Sequence, residues 1–424
     1  MSQNKLRYSR SPLPECICNL DRLFDEMTHR NLDGLVVSGP NNVFYLSGFN
    51  GIAHKSDEPR PYALVLSRTD PDHPILIVAD YYINTAASQP SWVKDVRSFR
   101  AVMMPLDLPA NADDVDRFIP MRATGVPWLD SLKASFADGL GSAVHQALSD
   151  LGLSRARVGF DDLRFGYQLG LEGQVADAYD TLMGARSIKT AAEIALLRSA
   201  TDLNEAAIND AIAAWDRGMT WREFNHAYHL AAIEHGGFVR DPGGMVWGHP
   251  RGGDAAIVLQ SGFEDFEMEP GMHVMFDCHG TLNLYCWDGG KTWVIGGEPT
   301  ASAKRSFDAT AAAVEAVLGA MKPGVRVSEL QATGRAAFRA AGVSDADQAV
   351  IFFHGLGLSH MDLAQHLADG SPNGDWMLEE NMVVPVHVLF PGDEHGRCWV
   401  EDVALVTAAG GEPFFSWGFE PILS

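Results

Sequence analysis

The chain has 424 residues, a formal net charge of −23 and 46% hydrophobic residues. That length exceeds what one ordinary core supports and points to two domains. The acidity excludes a general nucleic-acid surface, which needs a basic field, and no apolar run approaches the length of a membrane span.

Residues 1–30 read as an irregular start followed by a short helix; MSQNKLRYSRSPLPE lacks the apolar stretch of a signal peptide. LDGLVVSG (32–39) reads as a strand and GPNNVFYLSGF (39–49) as a turn leading into an edge or helix. PYALVLSR (61–68) and PILIVAD (74–80) are strands bounded by Pro and Asp, and RARVGFDD (155–162) is another. Helices are expected near 129–151 and 163–180. The alternation gives an α/β domain over residues 1–180.

The pattern changes at MGARSIKTAAEIALLRSATDLNEAAINDAIAAW (183–215), which sustains helical periodicity. Helices continue to about residue 234 and return at 301–319 and 327–340. Short strands are expected at 273–278, 282–287, 291–295, 383–390 and 397–407. Helices grouped with antiparallel-looking strands make residues 181–424 an α+β domain. There is no internal repeat, heptad series or low-complexity tract.

Five cysteines, an odd number with no C-x-x-C spacing, argue against a disulfide framework and for a reducing, cytoplasmic compartment. None has thiolate-site spacing. Polar residues inside apolar strands carry more information. Asp277 and Asp288 sit eleven apart in MFDCHGTLNLYCWDGGKTW (275–293). His354 and His360 lie in FFHGLGLSHMD, His387 in NMVVPVHVLFPG, Glu401 and Asp402 in RCWVEDVALVT, and His249 in FVRDPGGMVWGHPRG. Each has a structural explanation when read alone: a satisfied core histidine, a turn cap, or an ion pair with Lys291 or Arg397. Asp288 beside Gly289 and Gly290 could simply mark a hairpin turn. Together they form either a metal site or an acid–base cluster, because unpartnered buried carboxylates are costly. Mixed oxygen and imidazole donors suit Zn, Mn, Co or Fe better than a calcium cage. No phosphate loop, serine-hydrolase elbow or H-E-x-x-H is present.

These motifs resemble the creatinase, aminopeptidase P and prolidase superfamily. Its members join a small creatinase-like N-terminal domain to a pita-bread catalytic domain. Asp277 and Asp288 match the first ligand pair, FHGLGLSH the histidine turn, ENMVVPVHV the penultimate strand and WVEDVALVT the last strand. RSIKTAAEIALLRSA (186–200), MKPGVRVSEL (321–330), NNVFYLSGF and RPYALVLSR resemble further family segments. The resemblance implies one or two divalent ions: Asp277 on one, Asp288 and Glu401 bridging, His354 and His387 on the other. His387 stands where the family has Glu, Lys291-Thr292 replaces Arg-Thr, and His360 follows His354 by six residues rather than seven. The first position would then keep only carboxylate and water ligands.

The resemblance also implies a homodimer with a small-molecule substrate, His54 and Arg60 as substrate contacts, and His249 or His360 as proton donor. Because the departures fall where a peptidase grips its peptide, the expected reaction is hydrolysis of a C–N bond, amide or amidine, in a small polar metabolite. Three alternatives stay open: an Xaa-Pro dipeptidase or aminopeptidase, a lyase of the dimethylsulfoniopropionate type, and a metal-free creatinase-like enzyme using His387, His249 and His354 as acids and bases.

Overall fold

The structure, a computed structural model, describes residues 16–51, 61–89, 91–101, 126–239, 245–248, 265–391 and 397–423. Among these, residues 16–186 with 364–372 form one compact unit, and residues 187–363 with 373–423 form the other.

The N-terminal unit is a mixed sheet of six strands: β1 (Gly34–Val37), β2 (Tyr62–Ser67), β3 (Ile75–Ala79), β4 (Asp95–Phe99), β5 (Arg157–Phe160) and β6 (Gln174–Asp177), in the order β4-β3-β2-β1-β5-β6. Among the described residues seven α-helices accompany it: α1 (Leu20–His29), α2 (Pro40–Ser47), α3 (Ile83–Ser88), α4 (Leu129–Ala134), α5 (Leu140–Asp150), α6 (Leu163–Gln168) and α7 (Tyr179–Ser187). Every residue of β1, β2 and β3 is buried. Their near-continuous apolar runs are what a sheet covered on both faces requires. GPNNVFYLSGF resolves as helix α2, with Pro40 at its first turn and Gly48 closing it at φ 78°.

The helix expected over 163–180 is not continuous. Gly170 adopts φ 60° after α6, and Gln174–Asp177 pairs in parallel with β5 before α7 begins. The helix expected over 129–151 likewise divides into α4 and α5. Strand β4 escapes a pattern reading because Arg97 is buried in it. That guanidinium is held by Asp95 at 2.8 Å and Asp150 at 2.6 Å.

The C-terminal unit carries helices α8 (Ala191–Ala214), α9 (Trp221–Glu234), α10 (Ala301–Ala320) and α11 (Val327–Ala340). Its strands are β7 (Phe238–Val239), β8 (Met245–Gly248), β9 (His273–Asp277), β10 (Gly280–Leu282), β11 (Tyr285–Trp287), β12 (Gly290–Val294), β13 (Val350–Phe353), β14 (Val383–Phe390), β15 (Cys398–Thr407), β16 (Gly410–Pro413) and β17 (Ile422–Leu423). The main sheet runs β13-β14-β15-β12-β9-β8, with β16 on β15 and β17 on β12; β11-β10-β7 form a smaller one. The single strand expected over 282–287 is a hairpin instead, because Asn283 and Leu284 both take positive φ, 50° and 71°. That pair of left-handed residues is the backbone of a tight two-residue turn.

Helices α8 and α9 start at Thr190 and Thr220. Each threonine is closed by a reciprocal hydrogen bond with Glu193 or Glu223 three residues on. Val317, Leu330 and Phe338 from α10 and α11 pack with Val386, Val388 and Val400 of β14 and β15. Because alternate strand residues face opposite ways, that packing turns His387 and Glu401 to the other side of the sheet.

Candidate metal centre

His387 and Glu401 are opposed in the antiparallel β14–β15 register, as are Phe352 and His387 in β13–β14. Directly opposed side chains share a face. His387 Nε2 lies 2.8 Å from Glu401 Oε1, and the imidazole stacks on Phe352 with ring centroids 3.9 Å apart. Pro385 sits beyond the end of β13, so its missing N–H leaves no gap between those strands.

Asp288 enters from the turn between β11 and β12, where Gly289 and Gly290 take φ 89° and 149°. A Cβ at Gly289 would meet the Glu401 carbonyl oxygen at 2.8 Å. Asn204 donates to the Gly289 carbonyl at 3.0 Å, Tyr228 donates to Asn204 Oδ1 at 2.8 Å, and Trp287 Nε1 donates to the Tyr228 oxygen at 3.0 Å. This buried chain fixes the turn, and Gly289 N donates to Asp288 Oδ1 at 2.9 Å.

His354 lies just past β13. Its Nδ1 pairs with the Gly355 carbonyl at 3.1 Å, so that nitrogen carries the proton. Nε2 is left with its lone pair facing Asp288 Oδ2, 3.4 Å away. An imidazole oriented through its second nitrogen is the usual preparation of a metal ligand. His360 Nε2 is 2.8 Å from the same oxygen, with its side chain 46% exposed. The loop between the two histidines is pinned by Asp362, which accepts from Leu358 N at 3.0 Å and Ser359 N at 3.2 Å and lies 3.7 Å from buried Lys189.

The donor atoms of Asp288, His354, His387 and Glu401 all lie within 4.8 Å of one another. All four residues are buried. Asp288 Oδ2, His354 Nε2 and both Glu401 oxygens have no hydrogen-bond partner of good geometry. Buried polar atoms are rarely left so. A carboxylate–imidazole set with converging, unsatisfied atoms fits a divalent transition metal.

The electrostatics agree. Burial, then Asp288 and Asp277, push the Glu401 carboxyl well up. Burial, with His354 next to it, holds the His387 imidazole well below its ordinary range, and burial also lowers His354. Both imidazoles are therefore neutral, the form that binds metal. Burial would raise Asp288, but His279 and His360 overcome it and hold that carboxyl well down.

His279 was not singled out by sequence reasoning. Its Nε2 is 3.0 Å from Asp277 Oδ1 and 3.0 Å from Asp288 Oδ1. Burial opposes its protonation, yet the two aspartates outweigh burial and raise it to about 10. The available signal was its spacing of two from Asp277, which repeats a face in extended chain. This end of the site thus places the His279 imidazole beside the two carboxylates.

Lys291 and Asp402 turn away from the cluster. Lys291 Nζ donates to the carbonyls of Trp417 and Gly418, at 2.9 and 3.1 Å. Asp402 accepts from Phe414 N at 3.2 Å and Phe415 N at 3.4 Å. His249, His54 and Arg60 lie outside the described residues.

A creatinase-type N-terminal domain joined to a pita-bread domain with a buried imidazole–carboxylate centre defines a two-domain metallohydrolase. Residues 195–408 match Metallopeptidase family M24, and residues 19–199 match the Creatinase/Prolidase N-terminal domain. The chain belongs to metallopeptidase family M24. It is 25% identical over 401 residues to the Xaa-Pro dipeptidase of Lactobacillus delbrueckii subsp. lactis, an alignment covering 93% of this chain and 96% of that relative. It is 29% identical over 254 residues to YkvY of Bacillus subtilis (strain 168), which carries a provisional dipeptidase name; this covers 56% of the chain and 62% of that relative. Among solved structures, an Xaa-Pro dipeptidase from Bacillus anthracis superposes with a TM-score of 0.66 at 19% identity, covering 96% of this chain and 99% of that one. A dipeptidase from Pyrococcus horikoshii OT3 gives 0.67 at 18% identity, covering 96% and 99%. These likenesses establish the creatinase–prolidase fold.

Proposed function

We propose that the protein is a metal-dependent hydrolase of the C–N bond in a small amide, with dipeptides, Xaa-Pro among them, as its substrate class. The observation that carries this reading is the convergence of Asp288, His354, His387 and Glu401 with unsatisfied donor atoms. The relative that aligns over 93% of the chain is named an Xaa-Pro dipeptidase. That supports the peptide branch of the sequence reading over the small non-peptide metabolite preferred there.

Divalent ions held by these residues would supply a nucleophile from water at neutral pH and polarise the scissile carbonyl. The chain's own part is positional. Asp288 brings negative charge to the middle of the donor set, Glu401 would lose its proton as ions bind, and the Gly289–Asn204–Tyr228 chain fixes the Asp288 turn in place. His354 and His387 add neutral nitrogen donors. His360 lies within the donor set at Asp288, so in this reading proton delivery to the leaving nitrogen falls to His249, the other histidine proposed for it, a task for which imidazole is the common side chain. His54 and Arg60 remain the proposed substrate contacts.

A second reading, a non-peptide amide or amidine, is favoured by His387 in the family's glutamate position and by Lys291 facing the Trp417 loop. Assay of purified, metal-supplemented enzyme on Xaa-Pro and other dipeptides, N-acyl amino acids, guanidino acids, cyclic amidines and sulfonium acids separates them. Dipeptide cleavage abolished by chelation is expected. Turnover confined to amidines or N-acyl compounds would select the second reading. An unsaturated product formed without water incorporation would select elimination, and full activity without metal would select the metal-free alternative.

The proposal includes a homodimer, checked by light scattering, and a cytoplasmic location, checked by fractionation. No helix among the described residues is long and apolar enough to cross a membrane, and no disulfide joins the five cysteines.

A further inference from the structure

The sheet face that carries the metal donors continues beyond them. Along β13, Ile351 joins the helix-packed core, whereas Val350 and Phe352 take the face of His387 and stay 45% and 39% exposed. A solvated position in an antiparallel sheet ordinarily carries a polar side chain. Here two such positions in succession are Val and Phe, on the strand at the end of the β13-β14-β15 order. An exposed apolar edge of this kind is costly to keep unless something binds on it.

The register extends the patch across three strands. Phe352 opposes His387, which opposes Glu401; two residues along, Val350 opposes Leu389, which opposes Trp399. The first row runs into the metal donors, and the second carries no charge. Leu389 is partly exposed. Phe352 lies flat on the His387 imidazole, and Trp399 adjoins both rings, with centroids 6.4 Å from Phe352 and 5.5 Å from His387. The indole is fixed: Nε1 donates to the Phe276 carbonyl at 2.9 Å, and Trp399 N donates to Thr292 Oγ1 at 2.8 Å. The result is a rigid apolar shelf whose inner edge is a metal donor, so a group that fits it need not wait for the protein to rearrange.

We infer that Val350, Phe352, Leu389 and Trp399 form a substrate subsite for an uncharged apolar side chain, an aromatic one above all, beside the bond that is cleaved. This rests on the proposed metallohydrolase reading and deepens it by naming the substrates the site prefers. An aromatic ring laid on Phe352 gains stacked or edge-on contacts as well as burial. A carboxylate or ammonium placed there loses water and finds no counter-charge in the row. A methyl side chain leaves the Phe352 ring in water.

The test uses metal-supplemented, full-length protein. Titration calorimetry compares 3-phenylpropionate with propionate, two ligands that have no C–N bond to cleave. Alongside it, kcat/KM is measured for Phe-Pro, Ala-Pro, Asp-Pro, Ala-Phe and Ala-Ala. The phenyl ligand should bind at least ~10-fold tighter, and a Phe dipeptide should exceed its Ala counterpart by at least ~10-fold, both ratios falling to ~3-fold or less in Phe352→Ala and in Val350→Asp. A ratio taken within one variant cancels any general loss of metal or of active protein. Val350 is half exposed, so its variant tests the shelf even where Phe352→Ala does not fold.

Wild-type ratios in both variants would overturn the inference. So would a Val350→Asp protein that light scattering shows to have lost a dimer while its ratios stay unchanged, because the shelf would then seat a second copy of the chain. Cleavage of dipeptides with no preference among side chains would overturn this inference and leave the proposed function standing. A phenyl preference in binding that both variants lose, with no C–N bond cleaved in any substrate, would overturn the proposed function alone.

Discussion

His387 and Glu401 face each other across neighbouring strands, and the imidazole nitrogen approaches the carboxylate to 2.8 Å inside a buried pocket. A neutral donor thus stands beside Glu401, whose carboxyl burial, then Asp288 and Asp277, push well up. Replacing His387 by Glu adds a negative charge there. The expected outcome is retained metal with a preference moved toward manganese, and a kcat/KM reduced ~10-fold or more, because added charge weakens the ion's Lewis acidity. Metal analysis and steady-state kinetics on the best substrate check this. Unchanged metal preference and kinetics would show that imidazole at this position is a neutral replacement.

Gly289→Ala should lower stability by about 1–3 kcal/mol, since the residue holds φ 89° and the added methyl would meet the Glu401 carbonyl at 2.8 Å. The same shift displaces the Asp288 turn. Metal affinity should fall along with the urea midpoint, and a loss of stability at unchanged metal affinity would separate the turn from the donor set.

Asp362→Ala removes the acceptor for Leu358 N and Ser359 N and the carboxylate beside Lys189. Breaking a buried charge pair costs about 3–5 kcal/mol. Because the pinned loop carries His354 and His360, the variant should also bind less metal. Amide exchange across 354–362 is the direct readout; protection equal to wild type would remove Asp362 as the pin.

Glu193 predicts a pH dependence of folding. Burial raises its carboxyl to about 7, against the opposing effects of Lys189 and the Thr190 N–H. Between pH 4.5, its ordinary value, and about 7, the folded chain binds more protons at this group than the unfolded chain does. Its contribution is therefore fully present below the unfolded pKa and is lost as pH rises through the folded one. Glu193→Gln keeps the helix cap at Thr190 and an amide partner for the Tyr285 hydroxyl. Denaturation at pH 5 and pH 8 should show a smaller stability loss in the variant, by on the order of 3 kcal/mol at most. An identical pH slope in the two proteins would contradict the assignment.

The central histidine and glutamate were legible because each sits in an otherwise apolar strand, His387 between two valines and Glu401 beside Val400 and Asp402. Helices α8 to α11 were legible through long periodicity, with the Thr190 and Glu193 pair marking where α8 starts. What escaped depends on the third dimension. Leu284 does not look like a turn residue, so the β10–β11 hairpin reads as one strand. Arg97 hides β4 because only its ion pairs make its burial tolerable. His279 reads as an ordinary polar residue until the Asp288 turn folds back onto it.

The β14–β15 pairing also sets a timetable. Asp277, His279 and Asp288 leave the ribosome more than a hundred residues before Glu401. Until β15 is synthesised and pairs in register with β14, His387 has no facing carboxylate and the four-residue donor set does not exist. β14 and β15 pair across a short connection, but Asp288 must meet them across about a hundred residues, and such long-range contacts form late, after their loop-closure entropy has been met. On the proposed metal reading, a nascent chain lacking β15 should capture metal poorly, and loading should follow the pairing of β15. Metal uptake during refolding should lag behind the appearance of helical signal from α8 and α9.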